Sequence, residues 1–195
     1  MQGTTSEPIA HLIDTVSIES IDVLGPQLEF LVPGDAACVL RGTIPPGVII
    51  PLHSHADPET FFLISGEMEG LSQSVRHMRH LFLGRASSAN HSTWLRIAPG
   101  QVFHVPGDAR HAIRNLSNEP ATMILVTTAK LARFFREIGQ PIKDGETPAA
   151  PPSGQTILHF LQTAAKYGYW TATPEENAAV GLRMPQPSDP AAPTA

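Results

Sequence analysis

His53 and His55 stand two residues apart in an apolar run, with Glu59 four residues further on, and this trio is the part of the 195-residue chain best suited to chemistry. In an extended strand side chains alternate between faces, so both imidazoles point the same way. Glu59 follows a short Asp57-Pro58 turn and can return beside them on the next strand. Neutral imidazoles and a carboxylate suit a borderline divalent first-row ion, and such sites usually leave positions open to water or substrate. A fourth donor, His111, lies beyond a Pro106-Gly107 turn, and alternation puts His111, Ile113 and Asn115 on one face. A histidine pair in an apolar strand also serves as hydrogen-bonded core, and the donor types by themselves leave both readings open.

These donors need rigid elements to hold them. Between Ile21 and Val126 the sequence shows short β-rich runs broken by Gly and Pro, among them CysValLeuArgGlyThrIle, IleIleProLeuHis, ThrPhePheLeuIle, GlnValPheHisVal and ThrMetIleLeuVal. Such spacing reads as an antiparallel barrel, and without regular strand-helix alternation a parallel α/β sheet is disfavoured. After Thr128 the period changes. LeuAlaArgPhePheArgGluIle, stopped by Gly139, is expected to be helical, as is Thr156 to Tyr167 with Ile157, Phe160, Leu161 and Ala164 along one face. Thr173-Pro174-Glu175-Glu176 has the form of a capping box that opens a third helix.

The two donor segments resemble the paired motifs of the cupin superfamily. The first, Gly47-x5-His53-x-His55-x3-Glu59-x6-Gly66, fits at every defined position. The second fits at Gly100, Pro106, His111 and Asn115, but its glycine is Gly107, directly after the proline, where the motif has it one residue later. The resemblance implies an all-β jelly-roll barrel, a double-stranded β-helix, with the C-terminal helices packed outside. It further implies that His53, His55, Glu59 and His111 converge on one divalent transition metal, with Fe(II) favoured and Mn, Ni, Cu or Zn as alternatives. More loosely, the helical C-terminal arrangement is similar to single-domain cupins grouped with quercetin dioxygenase-like proteins. On that footing the expectation is a dioxygenase-like oxidoreductase acting on a small aromatic or enol-type molecule. An oxygen-independent isomerase or lyase and a non-catalytic small-molecule-binding barrel are the alternatives. Glu59 serves either as a permanent ligand or as a catalytic base, and a homodimer is expected by analogy.

Phe61, Leu63 and Ile113 share alternation faces with the donors and either line an apolar pocket or are barrel core. His104 is expected in core packing or hydrogen-bonded behind a ligand, and His91 and His159 on the surface or on a helix. Cys38, between apolar neighbours, reads as a small buried hydrophobe and forbids an intrachain disulfide by being alone. Residues 67–99 exceed the usual span between the motifs. They are expected to form a solvated hairpin extension or a disordered loop, or else a lid whose arginines, Arg76 and Arg79 among them, meet an anionic substrate.

The domain reading is an N-terminal arm over 1–20, a barrel over 21–128, a helical extension over 129–183 and a Pro/Ala-rich tail over 184–195, expected to be disordered. At 42% hydrophobic, the chain can bury one sizeable core. A net charge of −5 gives no basic footprint for nucleic acid, and no apolar run reaches the ~20 residues that span a bilayer, so a cytoplasmic protein is expected.

Overall fold

In the computed structural model, which describes residues 10–78, 87–142 and 152–183, twelve strands and three helices follow one another along the chain. The strands are β1 (Ser20–Asp22), β2 (Gln27–Val32), β3 (Ala37–Ile44), β4 (Ile49–Ser54), β5 (Glu59–Ser65), β6 (Met68–Met78), β7 (Ser87–Ile97), β8 (Val102–Val105), β9 (His111–Arg114), β10 (Ala121–Thr128), β11 (Gln140–Pro141) and β12 (Trp170–Thr171). The helices are α1 (Ala129–Ile138), α2 (Gly154–Tyr167) and α3 (Pro174–Ala179). Seven strands form one sheet in the order β11-β1-β2-β3-β10-β5-β8, and five form the other in the order β12-β4-β9-β6-β7. All pairings are antiparallel, and the sheets face each other as a jelly roll.

Alternation explains the core. Along β3 and β10 every second residue is buried, which turns Cys38, Leu40, Ile44, Met123 and Leu125 inward to meet Phe61, Leu63, Phe103, Val105 and Ile113 from the other strands. Gly70 is needed for this closure, since a Cβ there would stand 2.7 Å from the Phe103 ring. The outer face of the five-stranded sheet is covered as well. Leu52, Leu71 and Ala112 pack under Leu182, Val180 and Trp170 from the end of the described chain. Central strand β9 is therefore buried on both faces, and Ala112 is as inaccessible as its inward neighbours His111 and Ile113.

At the start of the β-rich region, strand β1 ends at Asp22, because Leu24 (φ 57) and Gly25 (φ 122) turn the chain, closed by Val23 N–H donating to Pro26 O at 2.7 Å. Within 67–99, of the two forms expected, the chain takes the hairpin, with β6 and β7 in register from Met68↔Ile97 to Met78↔Ser87. Residues 79–86 and the side chains of 74–78 and 87–91, which include Arg76, Arg79 and His91, lie outside the described set. So do residues 1–9 of the expected arm and the tail from 184. Over 10–19 the arm runs without regular structure, with Thr15 O accepting from Arg41 Nη2 at 3.1 Å.

The helices form where their caps place them. Thr128 caps α1 by accepting from Leu131 N–H, and Ser153 caps α2 by accepting from Thr156 N–H. The capping box at Thr173 and Glu176 is complete in both directions. Helix α2 docks differently from its apolar stripe. Ala164 and Phe160 pack with α1 and Thr163 is buried, while Ile157 and Leu161 stay 43% and 44% exposed. The cause is an aromatic cluster at its C-terminal half, where Phe134 of α1 stacks edge-on with Phe160, Tyr167 and Tyr169 and fixes the contact there. Among the described residues no helix is long and apolar enough to cross a membrane.

Candidate metal centre

Strands β4, β5 and β9 bring His53, His55, Glu59 and His111 together, their donor atoms all within 4.8 Å of one another. A bulge sets the phase of β4. Ile50 pairs with Ile113 and His53 with His111, so three steps along β4 match two along β9. Unbroken alternation from the inward Ile50 would have turned His53 away; the extra residue at Pro51-Leu52 turns it back inward and leaves Leu52 under α3. Sequence reading missed this irregularity, although a proline in a central strand was a signal for it.

Each imidazole is oriented by a backbone carbonyl two residues away. His53 Nδ1 donates to Pro51 O at 2.7 Å, His55 Nδ1 to Asp57 O at 2.7 Å and His111 Nδ1 to Ala109 O at 2.9 Å. A carbonyl only accepts, so the proton sits on Nδ1 and every Nε2 is left to face the centre. There Glu59 Oε2 lies 3.0 Å from His111 Nε2 and 3.3 Å from His55 Nε2. Acceptors that converge this closely are stable only around positive charge, supplied by an imidazolium proton or by a metal ion. Burial favours neutral Glu59, but hydrogen bonding with His111 and His55 outweighs it and holds the carboxyl well below the usual carboxylate range. For His55 burial works downward and is overcome by the adjacent Glu59, which raises it above the ordinary imidazole value. Burial and the neighbouring His111 push His53 down to about 3. The set of three imidazoles and a carboxylate fits a divalent metal ion.

Asn115, on the same strand face, is not a donor to the centre. Its amide donates to Ile44 O and Glu119 O and its carbonyl accepts from Ser117, which ties the end of β9 to the following turn. The displaced glycine of the second motif also has an explanation. The position where the motif has glycine is Asp108, which adopts φ 64, while Gly107 lies so close to Ala56 that a Cβ would stand 2.4 Å from its carbonyl oxygen. The turn thus keeps its left-handed residue and adds a close approach to the His55 loop, where Asp108 N–H donates to His55 O at 2.7 Å. Asp108→Gly should be neutral or stabilising in urea unfolding, whereas Asp108→Val should cost about 1–2 kcal/mol.

The other candidates separate cleanly. Phe61, Leu63 and Ile113 are buried in the barrel core on the donors' side of their strands. His104 corrects the expectation of core packing or support for a ligand. Between the buried Phe103 and Val105, alternation turns it to the outer face, where Nδ1 pairs with Thr60 Oγ1 at 2.9 Å. His159 lies exposed on α2 against Glu137 O, and Cys38 is buried with Sγ directed at Gly34 O.

Sequence reading also missed the residues behind the donors. Asp57, read as part of a turn, is buried, with Oδ1 accepting from Thr128 Oγ1 and Oδ2 from Tyr169 OH at 2.7 Å. Asn177 of α3 accepts from Leu52 N–H at 2.9 Å, one residue before His53, and β12 pairs Thr171 with His53. Separations of 71 to 125 residues leave no local signal for such contacts.

A two-sheet jelly roll with three imidazoles and a carboxylate gathered inside it defines a class of small barrel built around an internal metal-type cluster. The cupin family profile matches residues 34–133, and the chain belongs to that family. Among solved structures it is similar to the oxalate decarboxylase of Lactobacillus farciminis in its formate complex, at 16% identity over 63% of this chain and 34% of that one, with a TM-score of 0.47. It is also similar to a predicted oxalate decarboxylase from Thermotoga maritima (17% identity, 60% and 98% covered, TM-score 0.46) and to KdgF from Halomonas sp. (15%, 60% and 94%, 0.45). No curated protein matches the chain in sequence.

Proposed function

We propose that this cupin is a metal-dependent, dioxygenase-like oxidoreductase acting on a small aromatic or enol-type molecule, with His53, His55, Glu59 and His111 as the ligands. The observation that carries the reading is the convergence of three Nε2 atoms and one carboxylate beside a hydrocarbon barrel interior. When bound, Fe(II) or another first-row divalent ion supplies the redox capacity that lets dioxygen react with an electron-rich substrate.

The chain's own residues supply the rest. Pro51, Asp57 and Ala109 carbonyls hold the imidazoles in one tautomer, so the donor atoms need little reorganisation on loading. His53 is the most accessible of the four, which opens its side of the cluster to substrate. Phe61, Leu63 and Ile113, with Phe103 and Val105 beside them, put packed hydrocarbon next to the donors and so keep water from that side of the cluster. Glu59 acts first as a ligand, because its partners hold its carboxyl low and so make it a weak base. To accept an enol proton at Oε2 it must leave His55 and His111.

The test is oxygen uptake by metal-loaded protein with a panel of catechols and enols. Substrate loss matched by oxygen consumption, and abolished under nitrogen, is the expected result. Turnover that persists unchanged under nitrogen would reject the oxygenase reading in favour of an isomerase or lyase, and binding without turnover would leave a small-molecule carrier.

A further inference from the structure

Asp57 joins the centre to the C-terminal extension through two different parts of one residue. Its backbone carbonyl fixes His55 Nδ1 at 2.7 Å, and its side chain is held by Thr128 at the start of α1 and by Tyr169 just past the end of α2. Lys130 Nζ adds a longer approach of 3.9 Å to Oδ2. The geometry of Tyr169 follows from its helix end. Gly168 takes the left-handed conformation (φ 76), Tyr169 N–H donates back to Ala164 O, and the reversed chain directs the phenol into the barrel rim, with its ring 5.2 Å from the His55 ring.

A tyrosine buried among Phe134 and Tyr167 is by itself ordinary packing. Two observations go further. The hydroxyl is spent on a carboxylate that lies between two of the four donors, and the carboxylate's other oxygen is already held, so Asp57 cannot rotate without breaking a buried hydrogen bond. Chain bonding on the neighbouring strand points the same way, since Asn177 and Thr171 hold Leu52 and His53 from that same extension.

We propose that Tyr169 is a positioning residue of the metal centre, acting through Asp57 to hold His55 and the loop leading to Glu59 in ligating geometry. This rests on the metal-centre reading above. It makes the C-terminal extension part of the site, where the barrel motifs alone would make it an accessory.

Tyr169→Phe keeps the ring and removes only the hydroxyl. Cobalt(II) serves as the probe, because its visible bands report ligand geometry apart from activity. Purified full-length protein is titrated with cobalt, with near-ultraviolet circular dichroism to verify packing. The expected result is cobalt binding weakened by about tenfold with altered visible bands. Asp57→Asn should move the same readouts through the acceptor, and carries the test should the tyrosine variant not fold. Phe134→Leu disturbs the aromatic cluster and leaves the hydroxyl in place. It should lower the thermal midpoint and leave the cobalt bands alone. Unchanged affinity and bands in both Tyr169→Phe and Asp57→Asn would overturn the proposal, and so would a Phe134→Leu effect on cobalt equal to theirs. Failure of the wild-type protein to bind cobalt at all would instead overturn the metal-centre reading on which it stands.

Discussion

Replacing His53 and His111 together by alanine should take the bound metal from near one ion per chain to none. The two rings are partners across β4 and β9, with centroids 4.1 Å apart, and their loss leaves only His55 and Glu59 to ligate. Losing even a residue that merely orients a ligand costs roughly 10–100-fold in affinity, so losing two ligands should exceed any concentration used in purification. The measurement is plasma mass spectrometry on protein made without chelator or histidine tag, beside His104→Ala. The latter should load normally, because His104 faces outward. If the wild-type protein holds no metal even after reconstitution, the enzymatic reading fails and the cluster is a hydrogen-bonded core.

Metal-free protein should lose stability steeply as pH falls below about 6.5, with His53 responsible for much of the loss. Its folded-state value of about 3 lies below the ordinary imidazole value, so the unfolded chain takes up a proton that the folded one refuses. The contribution is whole above pH 6.5 and is withdrawn between 6.5 and 3. Allowing for the partial exposure of His53, the loss is on the order of 2 kcal/mol. His55 has the opposite sign, since its raised value favours the folded state in the acid range, and it limits the fall. Glu59 is depressed and helps above the usual carboxylate range, losing its contribution only at more acid pH. Urea unfolding of metal-free protein at pH 7.5, 6, 5 and 4 measures the slope. His53→Gln should flatten it. An equal slope in that variant would place the acid sensitivity elsewhere.

How much of this was legible in the sequence depends on the range of the interaction. The barrel and the four donors could be read because they rest on local rules: period-two alternation, glycine and proline punctuation, and fixed spacing around His53, Glu59 and His111. For residues 67–99 the sequence left hairpin and loop open, because MetGluGlyLeuSerGlnSerValArgHisMet is mostly polar and gains its strand order from pairing with β7. The exposed Ile157 and Leu161 show that an apolar stripe predicts a helix better than it predicts what the helix touches. Tyr169 and Asn177 had no signal at all, because the residues they serve are 112 and 125 positions away.

Those same separations bear on how the protein is made. Closing a loop of that length is paid for in chain entropy before any contact rewards it, so the outer edge of β4 should be among the last parts of the molecule to settle. A barrel whose other strands have already paired would then pass through a stage in which His53 and His55 lie on a loosely held margin. The order of assembly would thereby favour metal acquisition as a late event, after the extension has docked. Protein recovered from rapid refolding with metal added at the start and with metal added at the end should then differ in the fraction correctly loaded.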